Sequence, residues 1–114
     1  MKIYISGPIT GHDKQEVSRA FAEAKRLIID AGHTPVNPLE NGLPETATYE
    51  MHLLKDFQMM LECDAIILLY GWSRSKGCRM ENYIAVNMGL TVITSFAGLK
   101  RIRVNSNCEG IGWC

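Results

Sequence analysis

Ala65-Ile-Ile-Leu-Leu-Tyr70 is the stretch on which the fold turns. The run is unbroken and apolar, with no alternation of apolar and polar residues, so it reads as a strand buried on both faces. Strands of that kind belong to parallel sheets covered on both sides by helices. Gly71 to Lys76 reads as the loop that follows, and a helix is predicted from about Gly77 to Met88. Leu90-Thr-Val-Ile-Thr94 is then a further strand.

The pattern continues toward the N-terminus. Lys2-Ile-Tyr-Ile-Ser6 is a β-rich run closed by the turn signal Gly7-Pro8. Asp13 followed by Glu16 predicts a capping box for a helix over residues 14–31. Within it Val17, Phe21, Ala24, Leu27 and Ile28 recur at helical spacing, and Gly32 stops it. His33 to Val36 reads as a brief second strand, which Pro35 assigns to a sheet edge. Residues 37–47 are loop-like. From near Thr48 to about Cys63 a second helix is expected, with an apolar stripe of Leu53, Leu54, Phe57, Met60 and Leu61.

The order is βαβαβαβ. It predicts an α/β protein, a Rossmann-like (flavodoxin-like) three-layer sandwich with right-handed crossovers around a central parallel sheet of four to five strands. Arg101 to Val104 supplies the optional fifth strand, and residues 105–114 read as irregular. Ligands in such sheets bind beyond the carboxyl ends of the strands. Here those ends are the Gly7–Gly11 loop and the Gly71–Gly77 loop.

With 114 residues, the chain suits one domain spanning 1–114. Twelve Lys and Arg balance twelve Asp and Glu, a neutrality that disfavours a nucleic-acid partner. The short basic run Lys100, Arg101, Arg103 reads as a solvated strand edge. No apolar stretch is long enough to cross a bilayer, and the opening residues lack a signal-peptide layout, so a cytoplasmic protein without a membrane partner is expected. Cys63, Cys78, Cys108 and Cys114 form no C-x-x-C pair, and His12, His33 and His52 have no zinc-ligand spacing. Free thiols are expected, with Cys63 and Cys78 as small buried residues. Met51, Met59, Met60, Met80 and Met88 read as core fillers. No metal or organic cofactor is implied.

The loop Gly7-Pro-Ile-Thr-Gly11-His-Asp-Lys14 has neither Walker A nor G-x-G-x-x-G spacing, and the chain holds no G-x-S-x-G or H-E-x-x-H. ATP-driven chemistry, hydride transfer and metalloprotease activity are thereby disfavoured. A glycine-bearing turn before a helix can bind an anion through its N–H groups. It can equally be a βα connection that needs glycine for tightness.

Three segments together resemble the nucleoside 2-deoxyribosyltransferase superfamily, which includes the 2'-deoxynucleoside 5'-phosphate N-hydrolases. Tyr4-Ile-Ser-Gly-Pro-Ile-Thr-Gly11 is similar to the opening strand and sugar-binding loop. Asp56, eight residues before Asp64, is similar to the aspartate helix leading into the third strand. Ser75-Lys-Gly-Cys-Arg-Met-Glu81 resembles the Ser-x-Gly-x-x-x-Glu segment, whose glutamate is the nucleophile. The resemblance implies Glu81 as nucleophile, Asp56 as the group that orients or protonates, and Tyr4 with its hydroxyl near both Glu81 and the sugar. Ser6, Gly7, Pro8, Ile9, Thr10, Gly11, Ser75 and Gly77 would line the substrate. It also implies a homo-oligomer with sites near subunit contacts.

Thr10 stands where the phosphate hydrolases carry arginine, and Arg79-Met80 replaces their Gly-Tyr pair, so an altered pocket is expected. Trp72 could stack on a base or simply pack in its loop. The expected chemistry is N-glycosidic cleavage of a nucleoside, nucleotide or nucleotide-derived metabolite. Its rivals are a protein that binds such a ligand without cutting it and a hydrolase of NAD-like molecules. Each residue also has a plainer reading. A glutamate early in a helix complements the dipole, and Tyr4 can be a core residue. A mid-helix aspartate is usually solvated, and His52–Asp56 can be an exposed i,i+4 contact.

Overall fold

The computed structural model describes residues 1–101. Strand β1 is Lys2–Ser6, helix α1 Lys14–Asp30, β2 Thr34–Val36, α2 Tyr49–Leu61, β3 Ala65–Leu68, α3 Lys76–Asn87, β4 Thr91–Ile93 and α4 Phe96–Arg101. The strands form one parallel sheet in the order β2-β1-β3-β4, with β2 and its proline at an edge as expected. Ile3 pairs with Ala65 and Ser6 with Leu68. Because β1 and β3 are central, Ile3 to Ser6 of β1 and all four residues of β3 are buried.

Two apolar clusters sandwich the sheet. On one face Ile3, Ile5, Ala65, Ile67 and Ile93 meet Val17, Phe21, Ala24 and Ile28 of α1 and Leu99 of α4. On the other, Tyr4, Ile66 and Leu68 meet Met60 of α2 and Ala85 of α3. The alternation of β1 therefore aims Ile3 and Ile5 at α1, and Tyr4 at the α2–α3 layer.

The helix signals act where the sequence puts them. Asp13 caps α1, its carboxylate accepting from the Glu16 N–H at 3.1 Å. At the other end Gly32 adopts φ +88°, its N–H donates to the Ile29 carbonyl, and the His33 N–H reaches back to Ile28, which closes a Schellman motif. Thr48 caps α2 and Ser75 caps α3.

The sheet has four strands among the described residues, within the expected four to five. Three expectations are corrected. The basic run expected at a strand edge starts inside α4, because Ser95 Oγ accepts from the Gly98 N–H and Leu99 buries against the α1 cluster; the rest of the suggested fifth strand, with Cys108 and Cys114, lies outside the described residues. The α2 stripe is also only partly inward. Met60 is buried and Phe57 packs beside it, whereas Leu54 is 65% exposed and Leu61 is exposed too. Met51 and Met88 are likewise exposed rather than core. The short helix needs only one side of its stripe to cover β1 and α3, which leaves the other side outward. No helix of the described residues is long and apolar enough to cross a membrane.

Candidate active site

Helix α3 turns Cys78, Glu81 and Ala85 toward the sheet, positions three and four apart that share one helix face. Two are ordinary core residues. The third is a carboxylic acid in an apolar slot, and it lies in the second turn of α3 rather than at its start. At that depth the helix dipole offers little. Glu81 is only 6% exposed, and a carboxyl buried so far needs hydrogen-bond partners.

Strand β1 supplies them. Tyr4 and Ser6 lie two apart, so both point at α3 from the same face of the sheet. Tyr4 Oη donates to Glu81 Oε2 at 2.5 Å, and Ser6 Oγ donates to Glu81 Oε1 at 2.7 Å. Both donors are themselves buried, at 0% and 1% exposure, so each carboxylate oxygen is held by a fixed hydroxyl.

The electrostatics follow from the burial. Desolvation pushes the Glu81 carboxyl up to about 7, against the pull of the Tyr4 and Ser6 hydrogen bonds; the negative charge of Asp56 adds to the rise. Burial raises the Tyr4 phenol far beyond its usual range, reinforced by the charges of Glu81 and Asp56, so it remains a donor. Burial also raises the Cys78 thiol above its usual range.

Asp56 sits in the middle of α2, half-buried rather than solvated, and burial raises its carboxyl above the ordinary range. Its charge acts on both Glu81 and Tyr4. Its hydrogen-bond partner is Asn41, whose Nδ2 donates to Asp56 Oδ1 at 3.1 Å and also meets His52 Nδ1 at 3.1 Å. His52 and Asp56 are thus joined through Asn41 instead of by a direct i,i+4 contact. Asn41 carried no signal in the sequence beyond its place in a polar loop.

The remaining expected residues divide. Ser75 spends its side-chain oxygen on the N-cap, accepting from Cys78 N–H at 3.3 Å. Gly7 answers to packing: a Cβ there would stand 2.8 Å from Leu69 Cδ1 and 3.1 Å from Phe21 Cζ, on the α1 side of the sheet. Pro8 approaches Gly71. Ile9, Thr10 and Gly11 are exposed, and Gly11 takes φ +82° in a turn where the His12 N–H bonds the Ile9 carbonyl. The Tyr49 hydroxyl lies beside Gly77. Trp72, in the 3-10 turn Trp72–Arg74, packs against the α2–α3 cluster.

Two cavities lie near this end of the sheet. One, of about 550 Å³, opens past the carboxyl ends of β3 and β4 and includes Leu68, Trp72 and Thr94. The other, about 340 Å³, lies over Phe57, Arg79 and Tyr83. Neither is lined by Glu81, whose oxygens the two hydroxyls close over. Among the described residues no group of three or more His, Cys, Asp or Glu side chains is arranged to hold a metal ion.

A parallel sheet covered by helices on both faces, with a hydroxyl-bridged carboxylate buried over its first strand, makes this an α/β protein. Residues 1–94 match the family described as "Domain of unknown function (DUF4406)", and the chain belongs to that family. No curated protein matches it significantly.

Among solved structures, the chain is similar to a 2-deoxyribosyltransferase from Bacillus psychrosaccharolyticus, with TM-score 0.67 and 17% identity over 93% of this chain and 95% of that one. It also resembles the 2-desoxiribosyltransferase from Leishmania mexicana, with TM-score 0.63 and 22% identity over 80% of this chain and 61% of that one. A conserved protein from Enterococcus faecalis V583 aligns with TM-score 0.60 and 25% identity, over 80% of this chain and 60% of that one. At these identities the likeness establishes the shared fold.

Proposed function

We propose that the protein cleaves N-glycosidic bonds of a nucleoside, nucleotide or nucleotide-derived metabolite, with Glu81 as nucleophile. The observation that carries this reading is the Tyr4–Glu81–Ser6 triad: a carboxylate sequestered from water, with each oxygen oriented by a hydroxyl. The fold shared with two 2-deoxyribosyltransferases supports it.

In the proposed reaction a Glu81 oxygen bonds the anomeric carbon as the carbon–nitrogen bond breaks. The bonding pair leaves with the base, which takes a proton or hydrogen bond from Asp56. The charge building on the sugar is offset by the adjacent carboxylate. Water then attacks the anomeric carbon and frees the sugar, or a second base does so and completes a transfer. Tyr4 holds Glu81 and meets the sugar, while Ser75, Trp72 and the 7–11 loop border the substrate. No cofactor enters this scheme.

The closure of both hydroxyls over Glu81 favours a second reading, a protein that binds a nucleotide-like ligand without cutting it. Glu81→Ala separates the two. Incubated with mixed nucleosides, nucleotides and NAD, the wild type is expected to release free base, detected by mass spectrometry, and the variant to release at least 100-fold less while still binding. Base release that survives the substitution removes Glu81 from the chemistry. Ligand binding without base release by the wild type selects the binding protein.

We also propose self-association through the outer sides of α2 and α3. There Leu54, Leu61, Tyr83 and Val86 are all exposed, an apolar content that commonly marks protein contacts.

A further inference from the structure

Asn41, His52 and Asp56 form a polar cluster that the triad does not account for. The orientation of the Asn41 amide is set from two sides. Its Oδ1 accepts from the Leu43 N–H at 3.0 Å, and its Nδ2 donates to the Asp56 carboxylate, so the oxygen and nitrogen cannot be exchanged. One Nδ2 hydrogen goes to Asp56 Oδ1, and the other then points at His52 Nδ1. A ring nitrogen facing a donor must be the bare one. His52 therefore carries its proton on Nε2.

The other Asp56 oxygen has no hydrogen-bond partner among the described residues, and neither has His52 Nε2. Neither atom is among the buried unpartnered ones, so both open toward solvent. The cluster ends in the second Asp56 oxygen, the one that holds the proton when this carboxyl is protonated, and the His52 Nε2–H donor, both held by a single amide.

We propose that Asn41 is a positioning residue, whose side-chain amide clamps Asp56 and His52 into one unit and presents the free Asp56 oxygen and the His52 Nε2–H to the leaving base. This rests on the N-glycosidic reading for its consequence, but the clamp itself is testable without it. Titratable groups around the unit are Glu81 and Tyr4, on which the Asp56 charge acts, and Lys55, next to Asp56 in α2. The arrangement explains why α2 holds a half-buried aspartate at mid-helix, where a solvated one is usual.

The decisive substitution is Asn41→Asp, which keeps the shape and the acceptor for Leu43 but replaces the donor with a second acceptor. Long-range 15N–1H spectra of the full chain at mildly alkaline pH are expected to show His52 as the Nε2–H tautomer in wild type. In Asn41→Asp the ring should change to Nδ1–H or become doubly protonated, and the Asp56 carboxyl 13C resonance should move. Asn41→Leu, lacking both functions, should shift the Asp56 resonance without forcing that change of tautomer.

An Nδ1–H ring in wild type, or the same tautomer in wild type and Asn41→Asp, overturns the clamp. Base release from the nucleoside, nucleotide and NAD mixture should fall in Asn41→Asp by about 10- to 100-fold, as far as in Asp56→Asn, through kcat more than KM. Wild-type release by a variant whose ring has changed tautomer overturns the positioning role. A wild type that releases no base defeats the N-glycosidic reading instead, and the leaving-base role with it, while the spectra still decide the clamp.

Discussion

Glu81 is a carboxyl held where water cannot solvate it, and the proposed reaction needs it as an anion. Two hydroxyl donors favour the charged form, yet burial outweighs them and holds the group at about 7. Base release should therefore rise with pH through about 7, since only the ionised form attacks. Tyr4→Phe removes one of the stabilising donors, so the midpoint of that limb should move to higher pH in a pH–rate profile. The same group acts on stability with a definite sign. Its folded value, about 7, lies above the ordinary 4.5, so the native state binds more protons than the unfolded chain between those values. Stability should fall as pH rises across that window, by an amount on the order of 3 kcal/mol. Urea denaturation of Glu81→Gln should show that decline abolished.

At this scale the sequence was half legible. Tyr4 and Glu81 could be paired from their motifs. The motif puts Ser6 in the substrate-lining segment but carries no sign of its bond to Glu81, and Asn41 is invisible in it, because a loop amide acquires meaning only from what the fold brings to it.

Elements were easier to read than side-chain roles. The 65–70 run, the β-rich opening and the Asp13 and Gly32 signals are local and mark real elements, although β3 ends at Leu68 and leaves Tyr70 exposed. The α2 stripe misled because helical spacing reports a possible face, not how much of it a neighbour covers. The spacing of the Gly7–Gly11 loop fits anion binding and tight packing equally, because it does not report what the loop touches. Gly7 has a packing role: its missing Cβ leaves room for Leu69 and Phe21. Gly7→Ala should accordingly destabilise by about 1–3 kcal/mol in thermal or urea unfolding, the usual cost of overpacking. If the loop's flexibility for a ligand were its reason, the loss would appear in ligand binding and not in stability.

For the whole molecule, the strand order 2-1-3-4 sets β1 and β3 side by side at the centre and directs α2 and α3 to the same face. That is why residues as distant in sequence as Tyr4, Asn41, Asp56 and Glu81 gather beside one stretch of sheet. The alternation of strands and helices implied a parallel sheet but not its strand order, and the depth of Glu81 and the closure over it come from packing between α3 and β1, which no local pattern encodes. The outer side of the same helices leads to a further expectation. Sedimentation should show self-association of the wild type, and paired Leu54→Glu and Val86→Glu substitutions should reduce it to monomer without unfolding the chain. An assembly unchanged by that pair would place the contact elsewhere.

The most direct measurement of the central proposal is acid-quenched peptide mass spectrometry after brief incubation with the nucleoside, nucleotide and NAD mixture. The account predicts a glycosyl mass increment on the tryptic peptide that begins at Met80, located to Glu81 and absent from Glu81→Gln. Free base appearing with no increment on that peptide, or with the increment on another side chain, would contradict it.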